Sequence, residues 1–181
     1  MKALRLKEPK SRPVLEEVEP PKPGAGQVVV ELRAAAFNRR DYWITQGLYP
    51  DVQTPVTLGS DGAGVVLACG QGVDPAWVGR EVILNPGLDW GEREQAQSPD
   101  FSILGMPTDG TFAEQVAVPA TNLHDKPAHL NWDEAAALPL GGLTAYRAVA
   151  VQGRCAAGQT AMISGVGGGV ATFALQFAKA L

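Results

Sequence analysis

The sequence predicts a mostly β N-terminal domain, an antiparallel barrel of short strands, followed by the start of an α/β domain. Short apolar segments separated by turn residues fill the first 125 positions, which is typical of such barrels. Glycine (21 residues) and proline (14 residues) together make up about a fifth of the chain, compared with ~12% in an average protein. Such an excess is typical of a chain with many turns. Within residues 160–181, an apolar segment, a glycine-rich loop and a helical pattern follow one another, as at the start of a βαβ unit.

The barrel strands are predicted from alternation of side chains and from the turns between them. In one segment Val28, Val30 and Leu32 share one face, which is the period of two that a strand requires. Turn residues such as those of 20–24 and 85–87 separate the segments. The predicted strands cover residues 2–6, 14–18, 27–35, 64–69, 81–84, 111–118 and 122–125.

Three short helices are predicted beside and after the barrel. Asn38 can cap the first helix, and Gly47 can end it. Asn131 and Glu134 form a capping box at the start of the second. The predicted helices cover residues 41–46, 133–138 and 143–151.

The last part of the chain contains the strongest chemical signal. Residues 160–164 (TAMIS) form a predicted strand, residues 165–169 hold four glycines, and residues 170–181 form a predicted helix. Glycines after a strand allow the backbone to approach a pyrophosphate, whose charge is held by N–H groups at the helix N-terminus. The candidate cofactor-binding residues of this loop are Gly165, Gly168, Gly169, Val170 and Ala171.

The spacing of this loop departs from G-x-G-x-x-G, because Val170 stands where the third glycine or alanine is expected. If the motif is counted from Val166 instead, Gly168 and Ala171 occupy its second and third small-residue positions, and Val166 stands in place of the first glycine. A tight turn without a ligand is the alternative. A second glycine-containing segment, 59–64, is followed by no helix, so we predict a turn in which the Asp61 side chain binds backbone amides.

The order of elements divides the chain into a barrel domain (1–125), connecting helices (126–152) and the strand, loop and helix of a cofactor domain (153–181). A parallel strand needs neighbouring strands, and its sheet needs helices on both faces. We therefore expect the chain to be the N-terminal part of a longer protein. A helix docked on the barrel without a sheet is the alternative.

Charge and composition narrow the classes of function. The net charge is −4, and Arg39–Arg40 is the only adjacent arginine pair, so no basic surface for nucleic acid is expected. No segment approaches the ~20 apolar residues of a membrane span, and charges occupy the place of a signal-peptide apolar region. We expect a cytoplasmic protein with neither nucleic-acid nor membrane partners.

Metal binding is not expected. Catalytic zinc needs three ligands from cysteine, histidine and carboxylate side chains, and structural zinc about four. Cys69, Cys155, His124 and His129 are the only thiol and imidazole side chains, and they lie far apart in sequence. We expect the cysteines to be small buried hydrophobic residues and the histidines to lie at the surface or to have satisfied partners; a general-base histidine is the alternative.

Seven segments carry a family resemblance: 35–41 (AAFNRRD), 47–50 (GLYP), 55–64 (PVTLGSDGAG), 79–82 (GREV), 110–114 (GTFAE), 135–139 (AAALP) and 143–146 (LTAY). In this order they resemble the medium-chain dehydrogenase/reductase superfamily, in particular its zinc-free quinone oxidoreductase-like members. The resemblance covers nearly the whole chain. It implies a mostly β GroES-like barrel as the catalytic domain, followed by the start of an α/β Rossmann domain, with hydride transfer from NAD(P)H in the cleft between them.

Departures from the zinc-dependent relatives shape the expected chemistry. Those relatives carry cysteine at the position of Asn38 and His-Glu at the positions of Ser60 and Asp61. Their structural-zinc lobe corresponds to residues 85–101, which hold no cysteine here. The resemblance therefore implies hydride transfer without zinc to a conjugated carbonyl, where hydrogen-bond donors meet the developing enolate oxygen.

The resemblance also supplies the catalytic candidates Asn38, Thr144 and Tyr49. The residues that match Asn38 and Thr144 lie near the nicotinamide in the quinone oxidoreductase-like members, so both are cofactor-binding candidates as well. Tyrosines near the position of Tyr49 line the pocket, and Gln46 replaces an arginine common in that motif. The alternatives are that Asn38 serves only as a helix cap and that Tyr49 and Trp43 are core aromatic residues.

The expected function is a zinc-independent oxidoreductase that reduces a quinone or an α,β-unsaturated carbonyl compound. We expect NADP(H) in preference to NAD(H), although the residue that separates the two falls about 20 residues beyond the glycine loop, past Leu181. We expect a homodimer when full length, and no activity from these 181 residues alone. The alternatives are an alcohol dehydrogenase of the same superfamily and a non-enzymatic GroES-like binding module.

Overall fold

The computed structural model describes residues 1–181, in which antiparallel strands form three sheets. The strands are β1 (Lys2–Leu6), β2 (Val14–Glu17), β3 (Gln27–Ala36), β4 (Val56–Thr57), β5 (Asp61–Cys69), β6 (Glu81–Leu84), β7 (Gly87–Leu88), β8 (Ser102–Ile103), β9 (Gln115–Pro119) and β10 (Leu123–Asp125). One sheet has the order β10-β6-β5-β3-β9, the second β2-β1-β4, and β7 pairs with β8. All seven strands predicted for the barrel form, although the predicted strand 111–118 begins only at Gln115; the two-residue strands β4, β7 and β8 were not predicted.

The main apolar core lies against the five-stranded sheet. Val28 and Val30 of β3 are fully buried, as the alternation predicts, but Val29 on the opposite face is buried as well. At ~1.5–3 kcal/mol for each buried aliphatic side chain, this cluster dominates the stability of the barrel. The remaining buried members are Val66, Val82, Leu84, Leu88, Leu104, Val116, Val118 and Leu123.

Gly64 marks a point where β5 passes unusually close to β3. The register between these strands shifts between Leu32 and Ala34. A Cβ at Gly64 would lie 2.0 Å from the backbone oxygen of Glu31, a distance that real Cβ atoms do not reach. Glycine is therefore required for this approach, which places the N-terminal end of β5, with Asp61, beside the end of β3.

The helices are α1 (Arg39–Thr45), α2 (Trp132–Ala136), α3 (Pro139–Tyr146) and α4 (Gly169–Ala180). The Asn131–Glu134 capping box of α2 forms as predicted, and Gly47, at φ +67°, follows α1. The third helix starts at Pro139, four residues earlier than predicted, because proline is well suited to a first helical position. It continues as a π-helical turn to Gln152.

The predicted strand 160–164 does not form. No other strand within residues 1–181 pairs with this segment, so the hydrogen bonds that a parallel strand requires are not made. Met162, in the middle of the segment, is 94% exposed. The predicted helix after the glycine loop does form, as α4, and docks on α3 through Phe173, against Gly141, and Phe177, whose ring centroid lies 5.7 Å from that of Tyr146. None of the helices has the length and apolar character needed to cross a membrane.

Candidate active site

A single carboxylate, that of Asp61, joins three segments that are distant in sequence. Its Oδ2 accepts a hydrogen bond of 2.9 Å from Nδ2 of Asn38, immediately before α1. Its Oδ1 accepts one of 2.8 Å from the backbone N–H of Leu140, in the first turn of α3. The prediction of a turn at 59–64 is wrong for Asp61, which begins strand β5; its predicted role in binding a backbone amide is confirmed.

Burial controls the charge of Asp61. The residue is 1% exposed, and this desolvation raises the pKa of its carboxyl to about 6. The hydrogen bonds from Asn38 and Leu140 oppose the rise because they favour the ionised form, whereas the charge of Asp41 adds to it. The pKa of Asp61 therefore lies well above that of an ordinary aspartate, and the carboxyl is mostly ionised at neutral pH.

Asn38 precedes α1 at the N-cap position, as predicted, but its side chain is directed to Asp61. The hydrogen bond that closes the start of the helix runs from the Asn38 backbone N–H to Oδ2 of Asp41, at 2.7 Å. Asp41 is 2% exposed, and burial raises the pKa of its carboxyl. Asn38 therefore occupies the helix-cap position only through its backbone. Its half-buried side-chain amide belongs to the site around Asp61.

Arg40 is a buried cation beside this group. Its guanidinium donates to Ser60 Oγ at 2.8 Å and to the backbone oxygens of Leu104 and Met106 at 3.0 and 3.2 Å. No carboxylate lies within ion-pair distance of it. Through these bonds Arg40 fixes α1 to the segment before β9.

The structure places Tyr49 against the core rather than beside Asn38. Its ring packs on the cluster that contains Leu6 and Ile44, and the Arg40 guanidinium lies 5.1 Å from the ring centroid. This position corresponds to the core-aromatic alternative for Tyr49. Trp43, by contrast, is 41% exposed.

Thr144 and Asn38 line different cavities. Thr144 is exposed and lies one helical turn after Leu140; both line a cavity of about 390 Å³ whose walls include Trp90, Phe101 and Arg147. Asn38 lines a cavity of about 600 Å³ together with Phe37, Tyr42 and Phe112, among others. The hydrogen bonds of Asp61 connect the two sides, since one partner belongs to each cavity.

The glycine loop has the features of an anion site. The backbone N–H groups of Gly169, Val170 and Ala171 have no hydrogen-bond acceptor in the chain. Thr172, which the sequence interpretation missed, donates through Oγ1 to the backbone oxygens of Val166 and Gly168 at 2.9 and 3.0 Å. The exposed helix start therefore fits a phosphate group.

Comparison with known proteins gives the family. A family model for the alcohol dehydrogenase GroES-like domain matches residues 24–128, more than half of the chain. The chain belongs to the alcohol dehydrogenase family. Its GroES-like domain confirms the predicted barrel and the resemblance to the medium-chain dehydrogenase/reductase superfamily.

Three relatives of this alcohol dehydrogenase-family chain illustrate the range of the family. A zinc-type alcohol dehydrogenase-like protein of Schizosaccharomyces pombe is 38% identical over 169 residues, which cover 91% of this chain and 49% of that protein. An acryloyl-coenzyme A reductase of Metallosphaera sedula is 33% identical, over 100% of this chain and 56% of that protein. The crystal structure of an NAD-dependent alcohol dehydrogenase matches with a TM-score of 0.91 and 37% identity, covering 99% of this chain and 55% of that one. The chain thus spans about half the length of these relatives.

Zinc, which the names of some relatives imply, does not fit the residues of this family member. No three His, Cys, Asp or Glu side chains of residues 1–181 lie close enough together to bind a metal ion. Both oxygens of Asp61 already accept hydrogen bonds, and His124 and His129 are exposed and outside this group. The half-buried Cys69 donates to the backbone oxygen of Asp74.

Proposed function

We propose that this chain provides the substrate-binding side of a zinc-independent, NADP(H)-dependent oxidoreductase that reduces an α,β-unsaturated carbonyl compound or a quinone. The observation that carries the proposal is the Asp61 carboxylate, which couples Asn38 to the helix that bears Thr144. Acryloyl-coenzyme A reductase, a relative, is named for a substrate whose carbonyl is conjugated to a double bond, which supports the carbonyl assignment.

The residues have distinct roles in this proposal. The bound cofactor supplies the hydride. The free N–H groups of Gly169, Val170 and Ala171 bind its pyrophosphate, because the start of α4 carries partial positive charge. The exposed hydroxyl of Thr144 and the Asn38 amide hold the nicotinamide amide and the substrate oxygen, on which negative charge develops. Trp90 and Phe101 provide apolar walls beside Thr144.

Stopped-flow measurement of NADPH oxidation by the whole natural gene product tests the proposal. We expect turnover with members of a panel of quinones and enones, faster with NADPH than with NADH. Thr144→Val should lower kcat by ~100-fold, the usual effect of losing one such hydrogen-bond donor. Thr121→Val, at an exposed threonine of the barrel, is the matched control and should leave kcat unchanged. Absence of turnover across the panel would refute the proposal.

An alcohol dehydrogenase is the second candidate, favoured by the names of the relatives in Schizosaccharomyces pombe and in the crystal structure. Metal analysis of the gene product separates the two. Stoichiometric zinc together with oxidation of simple alcohols would favour the alcohol dehydrogenase. Failure to bind either dinucleotide would instead favour a binding module without hydride chemistry.

A further inference from the structure

The position of Asp61 between the two candidate residues has a geometric consequence. Its carboxylate accepts one hydrogen bond on each oxygen, from the side chain of Asn38 and from the backbone of Leu140. Thr144 follows Leu140 by four residues, which places the two on the same face of α3. One buried group therefore holds both the Asn38 amide and the start of the helix that carries Thr144.

We propose that Asp61 is the positioning residue of this site, because its ionised carboxylate fixes the Asn38 amide and the start of α3 relative to each other. Neither the resemblance nor the family match gives Asp61 a role. The proposal deepens the proposed function, and it depends on that function only for the roles of Asn38 and Thr144.

The chemistry of a carboxylate explains why a neutral side chain of the same shape cannot accept both of these hydrogen bonds in the same arrangement. An ionised carboxylate has two acceptor oxygens, and both face donors here. A carboxylic acid or an amide at this place has one oxygen or nitrogen that carries protons, which would oppose either Nδ2 of Asn38 or the N–H of Leu140. Protonation or amidation therefore breaks one of the two hydrogen bonds as they stand, or forces the Asn38 amide to rotate so that its Oδ1 becomes the acceptor.

Several other groups surround this carboxylate. Asp41 of α1 bears a like charge that disfavours ionisation of Asp61, and Arg40 bears the opposite charge. From the segment before β9, Thr111 donates through Oγ1 to the backbone oxygen of Asp61 at 2.8 Å, which fixes the backbone that carries the carboxylate. The immediate surroundings of the carboxylate thus hold one competing acid, Asp41.

Nuclear magnetic resonance of the ¹⁵N-labelled whole gene product tests the proposal without cofactor or turnover. The Leu140 backbone amide and the Asn38 side-chain amide should change chemical shift together with pH, with a common midpoint near the pKa of about 6 of Asp61. Asp61→Asn should abolish both changes. Asp41→Asn is the matched control, and should keep them with a midpoint shifted to lower pH because a like charge is removed.

Asn38→Ala provides a second variant that does not alter the carboxylate. It should raise the midpoint recorded at Leu140, because a hydrogen bond that favours the ionised form is lost. Amide signals that do not titrate, separate midpoints for the two amides, or loss of the titration in Asp41→Asn would overturn the proposal. An unchanged or lowered midpoint in Asn38→Ala would also overturn it. Since no reaction is measured, these outcomes are independent of whether the gene product oxidises NADPH.

Discussion

The burial of Asp61 predicts a specific dependence of stability on pH. The pKa of its carboxyl rises from an ordinary 3.8 to about 6 on folding, so the folded chain holds the proton more tightly than the unfolded chain. The stabilising contribution of this proton is complete below pH 3.8 and is lost as pH rises through 6. A shift of this size corresponds to about 3 kcal/mol between the two limits.

The perturbation that isolates this contribution is Asp61→Asn, which removes the titrating group. Between about pH 7.5 and about pH 5, wild-type protein should gain about 1.4 kcal/mol in unfolding free energy relative to the variant. Urea denaturation followed by tryptophan fluorescence at both pH values measures this difference, since the chain has four tryptophans. Because only the change in unfolding free energy between the two pH values is compared, the result does not depend on the absolute stability of the variant.

A control variant and the sign of the pH-dependent difference in stability distinguish the possible results. Asp133→Asn removes an exposed carboxylate in the first turn of α2 and should show no comparable pH-dependent difference from wild type. A relative gain near zero for Asp61→Asn would mean that Asp61 titrates as it does in water. A relative loss at pH 5 would mean that its pKa is lowered by its hydrogen bonds, and the reasoning from burial would be refuted.

Three further predictions concern other contacts in the structure. Arg40→Ala should destabilise the fold by ~2 kcal/mol or more, measured by urea denaturation, because Ser60 and two backbone oxygens lose a charged donor. Gly64→Ala should destabilise it by ~1–3 kcal/mol, since its Cβ would collide with the β3 backbone; Gly167→Ala, where a Cβ meets nothing within 4 Å, is the control. Thr172→Val should weaken NADPH binding by the gene product about fivefold in a fluorescence titration, through loss of ~1 kcal/mol of loop hydrogen bonding. An effect of Gly167→Ala as large as that of Gly64→Ala, or unchanged binding in Thr172→Val, would contradict the respective explanation.

Features that depend on nearby residues could be predicted from the sequence. The capping box of Asn131 and Glu134 involves residues three positions apart, and the alternation in β3 places Val28 and Val30 in the main core cluster, although Val29 on the opposite face is buried too. The predicted strand 160–164 failed for the opposite reason: its sequence is suitable, but a strand exists only when a neighbouring strand pairs with it.

The site itself could be predicted only in part. Asn38 and Thr144 followed from a resemblance, whereas the bond that couples their surroundings joins Asp61 to a backbone N–H 79 residues away. The side chain of Leu140 has no part in this bond, so no residue type at position 140 could have signalled it. Thr172 could have been noticed as a hydroxyl in the first turn of a helix, where threonine binds nearby backbone groups.

The electrostatics of the site explain why its geometry is defined so closely. Arg40, Asp41 and Asp61 are all buried, yet Arg40 forms no ion pair, and its charge is met by neutral oxygens. Asp61 is met in the same way by two N–H donors. Hydrogen bonds to backbone and amide groups have fixed directions, whereas an attraction between charges depends mainly on distance. Directional hydrogen bonds therefore orient Asn38 and the start of α3 around Asp61, while the charge of Arg40 offsets only part of the rise in the Asp61 pKa that burial causes.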